Sequence, residues 1–167
     1  MAKKSYVIAV NPQSCIGCRI CETACSLYHS GECSPHKSRI RVRHREAESM
    51  VIAVPIVCQQ CADPPCREVC PTGGIVDSKG PSRNRILNDE CNGCGICIKS
   101  CPLGINGAIQ VCENSNVAQV CDLCEGEPRC VSLCPSSSLS YQVCEEAGGN
   151  QRVVQLSASL KAMGFAV

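Results

Sequence analysis

Sixteen of the 19 cysteines fall into four short runs. The third, Cys91 to Pro102, is the tightest and reads CNGCGICIKSCP. Cys91, Cys94 and Cys97 stand three residues apart, Cys101 follows after three more, and Pro102 comes next. A cubane of iron and sulfide needs thiolates arriving from several directions. A loop kept small by Asn92, Gly93 and Gly95 lets the chain wrap one face of it, with positive φ available at the glycines. The fourth thiolate lies about a helical turn further on and points away, toward a second cluster. The proline then ends the local structure. A zinc site would use two separated C-x-x-C pairs rather than three cysteines at this pitch.

The other runs repeat this pattern with defined departures. Run one is Cys15, Cys18, Cys21 and Cys25, followed by Ser26 where the others have proline, so a helix can continue through it. Run two is Cys58, Cys61, Cys66 and Cys70, its middle gap widened by ADPP. Run four is Cys121, Cys124, Cys130 and Cys134, its middle gap widened by EGEPR. An internal repeat of this kind sets the architecture. Runs two and three are joined by a short hairpin and form one two-cluster unit; runs one and four remain and form the other. The expected fold is α+β: two bacterial-ferredoxin-like, two-cluster lobes with inserted β-hairpins. Lobe one comes from runs 15–25 and 121–134, lobe two from runs 58–70 and 91–101, within a domain spanning 1–144.

The segments between the runs supply the scaffold. Residues 5–10, SYVIAV, form a strand ended by Asn11-Pro12. Arg19 to Tyr28 reads as helix, with Ile20, Ala24 and Leu27 on one face. Residues 38–44 alternate between Arg39, Arg41 and Arg43 on one side and Ile40 and Val42 on the other; with the apolar 50–57 they make a hairpin with one basic face. Pro55 implies an edge position or a bulge. Residues 74–90 read as a hairpin turning at Gly80-Pro81, and 108–120 as another turning at 114–116. Leu139 to Val143 is a last strand. The tail carries Val153, Val154, Leu156, Leu160, Met163 and Phe165, too apolar for a solvated end, and packs on this chain or serves at 145–167 as a docking tail.

Composition agrees with cluster binding. One Phe, three Tyr and no Trp leave little to fill a conventional core, and inorganic clusters can take that place. The formal charge is +1, and four clusters would move it to about −7. Negative charge and the lack of aromatics among the arginines argue against nucleic acid. Val7–Val10 is too short for a signal core, and no stretch nears the roughly 18 apolar residues of a membrane span, so a reducing cytoplasm is expected. No Gly-rich phosphate loop and no nucleophile–base pair is present, so the chain is expected to carry no catalysis of its own.

Four cysteine runs, wider gaps in runs two and four, CPTG after run two and no proline after run one resemble one family. It is the four-cluster, ferredoxin-like electron-transfer subunits of molybdenum and tungsten oxidoreductases. The likeness spans roughly Tyr6 to Val143. CRICETACSLYHSGECSP and SRIRV look most like the small iron–sulfur subunit of tungsten aldehyde oxidoreductases; similar subunits serve carbon monoxide dehydrogenases, hydrogenases and formate dehydrogenases. The resemblance implies crossed ligation of four 4Fe–4S clusters: Cys15, Cys18, Cys21 with Cys134; Cys121, Cys124, Cys130 with Cys25; Cys58, Cys61, Cys66 with Cys101; and Cys91, Cys94, Cys97 with Cys70. It implies a relay between a catalytic subunit of tungstopterin type and a second redox partner, such as a flavoprotein subunit or further copies of the chain. Cys33, Cys112 and Cys144 read as small buried hydrophobes. His29, His36 and His44 are not needed as ligands, and His29 is placed to tune the first cluster. Arg39, Arg41, Arg43 and Arg45 make either a docking patch or a solvated strand face.

Overall fold

The computed structural model describes residues 5–47, 50–144 and 148–167. Every sheet among them is a two-stranded antiparallel ribbon. β1 (Ser5–Val10) pairs with β8 (Leu139–Cys144), so the two ends of the cysteine-bearing region close on each other. Inside that frame β2 (Ile40–Ala47) pairs with β3 (Met50–Val57), β4 (Ile75–Asp77) with β5 (Asn84–Ile86), and β6 (Ile109–Cys112) with β7 (Val117–Val120). Four helices carry run cysteines: α1 (Ile20–Ser30), α2 (Pro65–Glu68), α3 (Ile96–Ser100) and α4 (Arg129–Ser132). A fifth, α5 (Gly148–Ala162), ends the chain. The arrangement is a mixed α+β, ferredoxin-like fold. No helix among the described residues is long and apolar enough to cross a membrane.

Helix lengths follow the residue after each run. α2, α3 and α4 stop ahead of Pro71, Pro102 and Pro135, which cannot continue them. α1 runs on through Ser26, whose buried hydroxyl donates to the Thr23 carbonyl and accepts the Ser34 N–H at 3.1 Å. Of its expected apolar face only Ala24 is buried. Ile20 and Leu27 are exposed, whereas Cys21, Glu22, Ala24, Cys25 and Ser26 are buried. The helix is rotated to aim its cysteines inward, and burying Ile20 and Leu27 does not outweigh that.

β3 is apolar on both faces because both are covered. Ala53 and Val57 join a core with Ile8, Ile40, Val42, Leu123 and Leu139. Val54 and Ile56 join a second with Leu103, Ala108, Val153, Leu156 and Leu160. Pro55 sits opposite Val42 in an unbroken register, with no bulge; in a two-stranded ribbon its missing N–H costs no ladder bond. A third core gathers Ile75, Ile109, Ala118 and Val120 around Cys66 and Cys97.

The tail packs on this chain. Val153, Leu156 and Leu160 follow a helical spacing into the second core, while Val154 is 67% exposed. Arg45 donates to the Met163 carbonyl and Asn106 to the Ala166 carbonyl. Residues 145–147 lie outside the described residues. The arginines of β2 and Arg39 just before it are likewise tied to this chain: Arg39 pairs with Asp122, Arg41 donates to Gln110, and Arg43 donates to the Ile105 carbonyl at 3.0 Å. The row works as a comb that fastens β2 to its neighbours, where the alternation alone suggested a free basic face.

Candidate metal centre

In each run the residue before the second cysteine has a positive φ: Gly17 at 73°, Gln60 at 51°, Gly93 at 70° and Leu123 at 63°. This left-handed residue bends the C-x-x-C loop so that both thiols turn to one side. Glycine does so freely, while another residue pays about 1–2 kcal/mol. Gln60 and Leu123 are both fully buried, which holds the strain in place. Gln60 donates to the Cys121 carbonyl at 2.7 Å and accepts the Arg83 N–H at 2.8 Å, tying run two to run four. Alignment of the four runs puts both residues in the glycine position, a signal the sequence reading passed over. At Gly93 a side chain would also collide with the Asn116 carbonyl.

Twelve of the run cysteines line three hollows, each with three from one run and the fourth from another. Cys15, Cys18 and Cys21 line a hollow with Cys134. Cys91, Cys94 and Cys97 line one with Cys70. Cys58, Cys61 and Cys66 line an apolar hollow with Cys101, roofed by Val153 and Val154 of α5. Cys121 and Cys130 lie in one core with Cys25, and Cys130 also feels the charge of Cys124. All cysteines whose side chains are described are free thiols, with no disulfide among them.

The donor set fits a polycationic core. Burial, then the Glu22 charge, pushes the Cys21 thiol up to about 12. Burial, then neighbouring Cys101 and Cys61, pushes Cys66 to about 12. Burial drives Cys58 and Cys121 well above the ordinary thiol range. Four thiolates crowded in a dry hollow repel one another; iron in their midst reverses the sign of that interaction. Three of the crossing cysteines run the other way. Burial raises Cys70, but the Thr72 hydroxyl and backbone N–H groups beyond it outweigh that and lower it. Burial raises Cys134, and Ser136 with its following N–H groups lowers it in the same way. Thr72 and Ser136 stand two residues after Cys70 and Cys134, in CPT and CPS, a repeat the sequence reading did not use. Cys25 is lowered against its burial by His29 and the Arg39 N–H, which lies 3.2 Å from its sulfur.

His29 lies at run four, away from the centre where the sequence placed it. Its Nε2 is 3.4 Å from the Asp122 carboxylate, and its ring lies beside Cys124. Burial opposes its charge, yet Asp122, Cys124 and Cys25 hold its pKa at about 11. His44 is stacked away at the surface, its Nδ1 3.0 Å from Arg19. Cys33 is exposed and Cys112 half-buried beside Ser115, so neither is the buried hydrophobe the composition suggested. The Cys144 side chain lies outside the described residues.

Comparison with known proteins agrees with this chemistry. Residues 7–29 match the 4Fe-4S binding domain family. The chain is 43% identical to the aliphatic sulfonate oxidoreductase, polyferredoxin-like subunit of Pyrococcus furiosus, over 76% of this chain and 70% of that one. It is 33% identical to the electron transport protein HydN of Escherichia coli K12, over 92% and 93%. The chain belongs to the ferredoxin-like 4Fe–4S electron-transfer subunits of oxidoreductases. A solved chain in the active site complex BamBC of benzoyl coenzyme A reductase with 1,5-dienoyl-CoA covers 97% of this subunit and 99% of itself. Its TM-score is 0.50 at 18% identity, a likeness of fold. As a member of this family the subunit binds 4Fe–4S clusters and serves electron transport.

Proposed function

We propose that this chain relays electrons through four 4Fe–4S clusters between the catalytic subunit of an oxidoreductase and a second redox partner, and catalyses no substrate chemistry itself. The carrying observation is the three hollows that each join three cysteines of one run to a fourth from another, with Cys25 beside Cys121 and Cys130 in the core of run four. Bound there, the clusters supply one-electron oxidation and reduction. The chain's residues hold them, space them and keep water away. Cys15, Cys18, Cys21 and Cys134 would hold the first, with Cys25, Cys121, Cys124 and Cys130 holding its pair. Cys58, Cys61, Cys66 and Cys101 would hold the third, with Cys70, Cys91, Cys94 and Cys97 holding the fourth. Two lobes follow from this pairing; separate cores around Cys21, Cys25, Cys121 and Cys130 and around Cys66 and Cys97 support them. Gln60 and the charge interaction between Cys58 and Cys121 mark where the lobes meet.

The catalytic partner we favour is a tungstopterin aldehyde oxidoreductase, on the resemblance of run one and SRIRV to subunits of that type. A carbon monoxide dehydrogenase, hydrogenase or formate dehydrogenase is the second reading. The second redox partner is a flavoprotein subunit or another copy of the chain. Segment 145–167 contributes the assembly contact through the side of α5 that bears Val154, while its buried side anchors it. The test is anaerobic purification of the chain alone. It should carry about 16 iron atoms and as many sulfides, take electrons from dithionite and pass them to a dye. It should turn over no aldehyde, formate or carbon monoxide until the catalytic subunit is added. Iron near half that value, or substrate turnover by the isolated chain, overturns the reading.

A further inference from the structure

A carboxyl and an imidazole of α1, Glu22 and His29, stand beside the two outer centres. Glu22 and His29 are seven residues apart, two helical turns, and so share a face with Cys21 and Cys25. Glu22 is 2% exposed. Its Oε1 accepts the Val42 N–H at 2.7 Å, its Oε2 has no hydrogen-bond partner, and its charge bears on Cys21. Glu22 also acts through its charge on Arg41, which donates its guanidinium to Gln110. At the other end the His29 Nε2 stands 3.4 Å from Asp122, which Arg39 also grips, and the ring lies beside Cys124. Asp122, His29 and Cys124 bring their polar atoms within 4.8 Å of one another.

We propose that α1 builds a potential step into the outer pair, with buried Glu22 disfavouring reduction at the centre of Cys15, Cys18, Cys21 and Cys134, and His29 favouring it at the centre of Cys25, Cys121, Cys124 and Cys130. The inference rests on the ligand sets proposed above. Adding an electron makes a centre more negative. A carboxylate beside it opposes that addition, and a hydrogen-bond donor or cation on its sulfurs assists it. A single electron shared by the pair therefore rests on the His29 side, one centre reduced by one and the other left oxidised. The step is local to one helix, so a substitution at either residue should move one centre and leave the other in place.

The experiment is a redox titration followed by electron paramagnetic resonance on the full, iron-loaded chain and on Glu22→Gln, His29→Leu and His29→Gln, with iron and sulfide measured for each. Glu22→Gln keeps a side-chain oxygen for Val42 and should shift one midpoint upward. His29→Leu should shift a different midpoint downward, and His29→Gln, which restores an N–H donor, should recover part of that shift. Unchanged midpoints at full iron content overturn the inference while leaving the cluster reading intact. Shifts in the same direction, or both on one midpoint, also overturn it. Loss of iron from both His29 variants makes His29 a residue of assembly and overturns it. A native chain without 4Fe–4S signals removes the reading beneath it.

Discussion

At the scale of single residues, the cysteine runs were readable because 4Fe–4S clusters are held by thiolates at a recurring pitch. Their crossing makes a sharp expectation. Cys25→Ser should remove or perturb the paramagnetic signal of the centre shared with Cys121, Cys124 and Cys130, while the centre of Cys15, Cys18 and Cys21 keeps its signal. The reverse pattern would refute the crossing. What escaped the reading were residues whose role appears only in three dimensions. Gln60 and Leu123 look unlike glycine, yet they occupy its position in runs two and four. Leu123→Ala should cost about 2–5 kcal/mol from the cavity it leaves. Gln60→Gly relieves the strained φ but abandons two buried hydrogen-bond partners, about 1–3 kcal/mol each, and should still destabilise. Both are measured as faster bleaching of cluster absorbance in guanidinium, and bleaching at the native rate would count against the strain argument.

At the scale of elements, the hairpins fell close to where alternation and turn residues put them. β1 spans the expected residues, and β6–β7 turns at 114–116, where Asn116 takes a φ of 51°. Orientation was less readable. The outward face of α1 shows why: a periodic apolar stripe marks the core only when burying side chains is the main demand, and in α1 the demand is to aim cysteines. The arginines of β2 failed for a related reason, since their acceptors, Gln110, Ile105 and Met163, lie 62 to 118 residues away. α5 was seen as an apolar tail with no partner assigned, because its contact surface on β3 is distant in sequence. Its two sides can now be separated. Leu160→Ala should cost about 2–5 kcal/mol, lowering the denaturant midpoint for loss of absorbance. Val154→Ala, at the exposed rim of the Cys58, Cys61, Cys66 and Cys101 hollow, should cost less than Leu160→Ala in the isolated chain and weaken binding to the catalytic subunit. An unchanged complex with Val154→Ala would remove α5 from the interface.

At the scale of the whole molecule, binding and folding are one event. Few large side chains fill the interior, and the cores themselves contain cysteines. Stripping iron with a chelator should therefore collapse the far-ultraviolet circular dichroism together with the cluster absorbance, and a well-folded metal-free chain would contradict this. The nesting of the runs has a further consequence for biosynthesis. With the ligand sets proposed above, all eight cysteines of the inner two centres have left the ribosome once Cys101 emerges, and the strands of their core by Val120, whereas the outer two wait for Cys134 and for β8 to close on β1. A nascent chain can thus receive its inner clusters early, but its first four cysteines stay unpartnered until nearly the end of translation. A chain stopped after Val120 should hold at most about half the iron of the full protein, all of it in the inner centres. The cell's iron–sulfur carriers would then have to serve this protein twice, in a fixed order, with the first cysteines to be made among the last to be filled.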